Sequence, residues 1–268
     1  MIIVAGGDSF VYGSELADCR GMESASTFPA LLATGGTYIC GAWPGAGNDA
    51  IARRVIDYCE NLKKEKLGVV VSWTFPGRYE FRFAYDTGQR TGSWYTITAW
   101  TEVNDIEIIK EEFVNDNEGI YQEHKKNIER AQKLGLSDFA RSFYRNVGGT
   151  EYWEVYTSLK EVVYLQNYLK LNHIPYLFTC ADNSIWFNHT VTTADASIKS
   201  LVKQIDMDRW FWFPAGSGAN QTEQPRGFYQ WAVENKYPIG TTHPLEQAHE
   251  AAAELMQEKF NELVTKHL

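Results

Sequence analysis

Two short stretches at opposite ends of the chain hold residue types that together could carry out acyl transfer. Gly7-Asp8-Ser9 follows the apolar run Met1–Ala5, so the Ser9 hydroxyl would stand at the end of a strand, beside backbone N–H groups that the strand no longer uses. A serine hydroxyl is a weak nucleophile until a neighbouring base takes its proton. The candidate base is His243, in Thr242-His243-Pro244. Pro244 suits the first position of a helix and Glu246 follows shortly after, so the closing helix is expected to begin near Pro244 and to fix the imidazole at the edge of a sheet. The plainer reading of Gly-Asp-Ser is a strand-ending turn, which favours the same residues.

The elements that must bring these groups together can be read from hydrophobic periodicity. Met1–Ala5, Thr37–Cys40, Gly68–Trp73, Pro175–Cys180 and Trp210–Phe213 read as strands, and Gly68–Trp73 is so uniformly apolar that both its faces should be covered, as in a parallel sheet. Between them, Phe28–Ala33 suits a short helix. Ile51, Val55, Tyr58 and Leu62 share one helical face, and Val155, Leu159, Val162 and Leu169 mark a longer helix. Strands alternating with helices predict a three-layer α/β/α, flavodoxin-like domain of about five mostly parallel strands. In such sheets the ligand crevice lies beyond the carboxyl ends of the strands. Attention therefore falls on Gly6–Ser9, Gly41–Asn48, Thr74–Glu80, Cys180–Asn183 and Pro214–His243. The alternation breaks at about 75–150, where aromatic strand-like pieces (Phe81–Tyr85, Trp94–Trp100) mix with polar helical ones (Ile106–Val114, Tyr121–Leu134). This stretch reads as an insertion, a lid or an interface, in one domain spanning 1–268.

Gly7-Asp8-Ser9 near the start, a glycine-rich turn after the second strand and a His-Pro opening the last helix together resemble the SGNH (GDSL-type) hydrolase superfamily. The resemblance covers the two ends and the sheet skeleton but not Phe75–Thr150. It implies a serine esterase with Ser9 as nucleophile and His243 as base, and an oxyanion hole from the N–H groups of Ser9 and of Gly45, in Ala42-Trp43-Pro44-Gly45. Two departures stand out. The family's Gly-x-Asn-Asp block after the third strand is replaced by Ser72-Trp73-Thr74. Asn48, after the second strand and expected at a helix start, and Thr74 are the residues that could stand in for the family's Asn. The family's Asp three residues before the His is replaced by Gly240. Asp182, in Cys180-Ala181-Asp182-Asn183, is the acid that sheet order would place nearest the His loop; a main-chain carbonyl near Gly240 is the other way to orient the ring, and an Asx turn is the other use of Asp182.

Arg78, in Trp73–Glu80, is a candidate substrate contact, with an Arg78–Glu80 pair as its ordinary alternative. That stretch resembles phage-encoded members of the superfamily, which would place the protein in a host cytoplasm or a virion. Trp210, Trp212, Phe228, Tyr229 and Trp231 could stack on sugar rings but more commonly such residues fill cores. His189 and His249 have no metal-ligand spacing, and the four cysteines, Cys19, Cys40, Cys59 and Cys180, form no CxxC, so reduced thiols and no metal or other cofactor are expected.

Lys and Arg number 25 against 34 Asp and Glu in 268 residues, a formal charge of -9. A phosphate backbone would repel such a surface, so no nucleic-acid partner is expected. No apolar run is long enough to cross a bilayer, and the start carries no basic region before Gly6, so a cytoplasmic protein without a membrane partner is expected. The expected partner is a small-molecule or carbohydrate ester, an O-acetyl sugar being one form of it, with homo-oligomerisation left open. The competing reading is a non-catalytic module of the same fold, for binding or assembly. An FMN protein of flavodoxin type would need more hydroxyl-bearing residues in its phosphate loop than Gly6–Tyr12 supplies.

Overall fold

The computed structural model describes residues 1–83, 93–102, 129, 132–186, 196–215 and 226–265. The chain divides into two compact units, Met1–Pro76 with Val155–Leu268, and Gly77–Glu154.

The first unit is built on a parallel sheet. β1 (Ile2–Gly6) pairs with β2 (Thr37–Cys40) and with β3 (Leu67–Trp73), with Ile2 opposite Thr37 on one side and Leu67 on the other. The strand Tyr176–Cys180 lies against β3, with Val69 opposite Tyr176, which gives the order β2, β1, β3 and then this strand. The expected fifth strand, Trp210–Phe213, is reduced to a single parallel bridge between Trp210 and Phe178. Phe211 still donates its N–H to the Phe178 carbonyl at 2.7 Å, but Phe213 already pairs antiparallel with Arg226, so the chain leaves the sheet after one contact. With that bridge the order is flavodoxin-like.

Alternate residues of these strands enter opposite cores, as the period of two requires. Val4, Val69, Val71 and Phe178 pack under the helices of one face: Ile51 and Val55 from Asn48–Asn61, and Leu159, Val162 and Leu165 from Glu151–Leu171. Ile3, Ala5, Val70 and Leu177 face the other layer, where Phe28 and Leu32 (from Phe28–Leu32), Phe228 (from Phe228–Glu234) and Ala248, Ala252 and Met256 (from Glu246–Thr265) cover them. Every residue of β3 is buried, in keeping with its β-branched run. The aromatics considered for sugar stacking serve these cores instead: Trp210, Phe228 and Trp231 are buried, and Trp212 and Tyr229 are half-buried against them.

The second unit has its own small core. Its strands Tyr79–Phe83 and Ser93–Ile97 pair antiparallel, with Tyr79 opposite Ile97. They pack with the helix Leu136–Phe143, through Tyr79, Ile97, Leu136, Ala140 and Tyr144. The Tyr144 hydroxyl donates to the carbonyl of Gly77 at 2.5 Å or of Ile97 at 3.0 Å, and the Tyr79 hydroxyl to that of Gly148 at 3.0 Å. The expected helix Ile106–Val114 and most of Tyr121–Leu134 lie outside the described residues, as does His189. Among the described residues no helix is long and apolar enough to cross a membrane.

Candidate active site

Ser9 opens a one-turn helix, Ser9–Tyr12, directly after β1. Asp8 is its N-cap: fully buried, it accepts the Phe10 N–H at 3.0 Å and the Thr74 hydroxyl at 2.5 Å, which ties the turn at Ser9 to the end of β3. Ser9 sits at the first helical position, where its own N–H has no intrahelical acceptor. The helix ends at Gly13, whose φ of 76° reverses the chain in a conformation that an L side chain rarely adopts. That reversal brings Glu15 back towards Ser9.

His243 lies between the two. Its Nε2 is 2.7 Å from Ser9 Oγ and its Nδ1 is 2.6 Å from Glu15 Oε1. An ionised carboxylate has only acceptors to offer, so Nδ1 carries the ring proton and Nε2 is left to accept from the Ser9 hydroxyl. Thr242 strengthens the arrangement: its hydroxyl donates to Glu15 Oε1 at 2.9 Å and lies 2.9 Å from Nδ1. Its N–H donates to the same oxygen at 3.0 Å, and the Thr241 N–H donates to Oε2. Partial burial opposes ionisation of Glu15, but the bonds from His243, Thr242 and Thr241 outweigh it and hold the carboxyl below its ordinary pKa. The ring of Phe10 supports the imidazole from the side, centroid to centroid 4.7 Å.

The loop that presents His243 differs from the expected helix start. Ile239 and Pro244 form an antiparallel bridge and Gly240 donates its N–H to the His243 carbonyl at 2.8 Å, so Pro244 is taken up in a tight loop and the helix begins at Glu246. Glu246 in turn accepts the Ala17 N–H at 2.7 Å, a second tie between this segment and the Glu15 loop.

Neither orienting group expected for His243 occupies that role. Asp182 caps the short turn that follows Tyr176–Cys180, accepting the Ser184 N–H at 2.6 Å, which is the Asx use of that residue. No carbonyl near Gly240 takes that role either, because Nδ1 faces Glu15 Oε1 at 2.6 Å, and a Cβ at Gly240 would overlap Glu15 Oε2. The glycine is required by close approach of a carboxylate: the space in front of residue 240 is already filled by the acid from residue 15. Asn48 and Thr74 are likewise committed elsewhere. The Asn48 amide donates to the Thr74 carbonyl at 3.2 Å and to Ser158 Oγ at 3.0 Å, and accepts the Thr74 N–H at 2.9 Å. Both amide hydrogens are used in fastening the end of β3 to the helix Asn48–Asn61, and the Thr74 hydroxyl and N–H are used on Asp8 and Asn48, so neither residue presents a donor for an oxyanion. Gly45 lies in an exposed turn closed by the Ala46 N–H to the Trp43 carbonyl, 3.0 Å. Arg78 is half-buried in the second unit, just ahead of its first strand.

Glu15 is the residue that sequence reasoning missed. The crevice rule points to loops that follow strands, whereas Glu15 follows a one-turn helix. Its signals were faint: a glycine able to reverse the chain after Ser9, and a second glycine at 240 where a side chain was expected.

No protein-family model matches the chain, and no curated protein matches it. Among solved structures it is similar to the psychrotrophic esterase EstA from Pseudoalteromonas sp., in a structure inhibited by monoethylphosphonate, over 98% of each chain at 10% identity and a TM-score of 0.42. It is also similar to a proposed lipolytic protein of the G-D-S-L family from Desulfitobacterium hafniense DCB-2, over 96% of this chain and 98% of that one, at 12% identity and a TM-score of 0.27.

Proposed function

We propose that this chain is a serine hydrolase of acyl esters in which Ser9 is the nucleophile, His243 the general base and acid, and Glu15 the orienting carboxylate. The observation that carries the reading is the imidazole of His243 hydrogen-bonded on one side to Ser9 Oγ at 2.7 Å and on the other to Glu15 at 2.6 Å. This is the geometry in which a base takes a hydroxyl proton while an acid holds its tautomer.

In the proposed reaction Ser9 Oγ attacks the ester carbonyl carbon as its proton passes to Nε2. The carbonyl oxygen becomes an oxyanion, met by the Ser9 N–H and, as a second donor, the Gly45 N–H. When the C–O bond to the alcohol breaks, Nε2 returns the proton to the leaving oxygen. Water then attacks the acyl-serine, again giving its proton to Nε2, and Ser9 is released with the free acid. Glu15 stays ionised throughout and stabilises the imidazolium that forms twice per cycle. The test is labelling by a fluorophosphonate probe together with hydrolysis of p-nitrophenyl acetate, for the native chain and Ser9→Ala. Labelling and turnover that vanish in the variant support the enzyme. A folded native chain that shows neither supports the non-catalytic module in its place.

A further inference from the structure

The segment that carries Glu15 has little regular structure of its own. Between the one-turn helix Ser9–Tyr12 and the helix Phe28–Leu32, Gly13–Thr27 holds no helix or strand. Leu16 buries its side chain and donates its N–H to the Gly13 carbonyl at 3.0 Å, and Asp18 accepts the Ser24 hydroxyl and the Ala25 N–H, so the loop is fastened to itself on either side of Ala17. Among the described residues Glu15 has no main-chain hydrogen bond. Where its carboxylate points is therefore set by its neighbours.

The segment that carries His243 is rigid by contrast. Gly240 donates its N–H to the His243 carbonyl at 2.8 Å, Leu245 donates to the Pro238 carbonyl at 3.0 Å, and the long helix Glu246–Thr265 follows at once. The two segments are clasped by an exchange of carboxylates. Glu15 reaches across to the N–H groups of Thr241 and Thr242, and Glu246 reaches back to accept the Ala17 N–H at 2.7 Å. Glu246 stands three residues after His243, and Ala17 two residues after Glu15. Among the described residues this is the one hydrogen bond from Gly13–Thr27 to the closing segment that does not involve Glu15 itself. A main-chain N–H bonded to a carboxylate at such a distance belongs to the stronger class of hydrogen bond. The ordinary use of a glutamate at a helix start is to place charge at the positive end of the helix dipole. That use needs no partner on another segment and does not account for Ala17.

We propose that Glu246 is a positioning residue for the Glu15–His243 pair: by holding Ala17 it keeps the Glu15 carboxylate against Nδ1. The proposal rests on ester hydrolysis at Ser9 and adds to it a residue that acts through Glu15, touching neither the substrate nor the reacting atoms.

The test is a cycle of variants read by hydrolysis of p-nitrophenyl acetate, with circular dichroism on each. Glu246→Ala releases Ala17 and should lower kcat by about 10- to 100-fold, the loss that a misplacement of about 1 Å brings, with KM within about twofold of the native value. Glu246→Asp keeps the charge at the helix start but shortens the reach, so it should lose about as much and serves where the alanine variant fails to fold. Glu246→Gln loses the charge but keeps an oxygen for Ala17, so kcat should stay within about threefold of native. In a Glu15→Gln background, Glu246→Ala should cost nothing further, because a residue that acts through Glu15 then has nothing left to position. Equal losses in both backgrounds, or a glutamine variant as slow as the alanine one, would overturn the proposal and leave Glu246 as a charge at a helix start. A second readout does not depend on turnover: the downfield proton resonance of the His243 Nδ1–H, identified by its loss in His243→Ala, should move upfield or broaden in Glu246→Ala and return in Glu246→Gln. A native chain that hydrolyses no ester would remove the esterase reading. In that chain too, an Nδ1–H resonance unchanged by Glu246→Ala would overturn the positioning role, and one that moves would support it.

Discussion

His243 and His249 stand on the same closing segment and have opposite surroundings. His243 is partly exposed, between a hydroxyl and a carboxylate, each of which has a use for one of its nitrogens. His249 is 1% exposed, accepts the Phe28 N–H through Nδ1 at 3.1 Å and lies between the rings of Phe28 and Phe228. Burial, with a smaller contribution from the charge of His243, pushes its pKa down from 6.5 to about 3, so it stays neutral in the folded chain. The comparison teaches that an imidazole becomes a candidate base through what it is bonded to on both sides. Two such rings close together in sequence can have one chemical and one structural role.

The largest effects should separate the two rings. His243→Ala should reduce ester turnover by about 10⁴-fold or more while the thermal midpoint stays close to the native value, because in the proposed reaction the ring is the base, while it contributes little to the core. A variant that retained most of its activity would end the distinction.

The next effects concern the acid. Glu15→Gln keeps the shape but lets the imidazole take the wrong tautomer, and turnover should fall by about 10³- to 10⁴-fold. Gly240→Asp should be damaging alone, since its side chain would collide with the Glu15 carboxylate. Combined with Glu15→Ala it should recover part of the lost rate, because the new carboxylate enters the space that the old one leaves. Circular dichroism on the single and double variants distinguishes a misplaced acid from a misfolded chain, and a double variant no better than Glu15→Ala would show that the two positions are not interchangeable.

Much of this was legible in the sequence, for physical reasons that also explain the omissions. Leu67–Trp73 is apolar at every position but Ser72, so β3 could be read to within a residue. Ser9 was legible because a strand end followed by Gly-Asp-Ser confines the hydroxyl to the crevice, and His243 because a proline follows it, although Pro244 serves a bridge and not the helix's first turn. Asn48 was correctly placed at a helix start, but its amide is used to hold Thr74 and Ser158, a partnership set by tertiary packing that no local pattern announces. Trp210–Phe213 has the composition of a strand, yet only Trp210 pairs with the sheet, because the following residues turn to meet Arg226. Glu15 depends on a chain reversal at Gly13 and on a loop from the far end of the sequence, so its role emerges only when both are brought together.

A smaller effect is expected from the buried ring. Between pH 6.5 and about 3 the unfolded chain binds a proton at His249 that the folded chain does not, so stability is fully present above pH 6.5 and is lost as the pH falls, by about 1.4 kcal/mol per unit from this group. Glu15, whose folded pKa is lowered, acts in the same direction but only below its ordinary 4.5, and Glu154, raised by burial, acts in the opposite direction, so it is the comparison with a His249 variant that isolates the histidine. Urea midpoints at pH 7 and pH 5.5 should differ more in the native chain than in His249→Gln, whose amide oxygen can still accept the Phe28 N–H. Equal differences in both would mean that the ring is not held neutral.

The smallest effect should come from Asp182, the acid that sheet order favoured and hydrogen bonding does not. Its carboxylate satisfies the Ser184 N–H at the start of a short turn, a cap of the kind that contributes about 1 kcal/mol. Asp182→Ala should therefore lower the unfolding free energy by that amount and leave kcat/KM unchanged, since the imidazole proton already has Glu15 and Thr242 as acceptors. Asp182→Asn is the sharper form, because an amide oxygen can keep the cap while the charge is lost: stability should return to the native value with activity still intact. A large loss of activity in both variants, with Glu15 untouched and the fold preserved, would exchange the roles of the two acids and undo the contrast between a carboxylate that orients a base and one that only closes a turn.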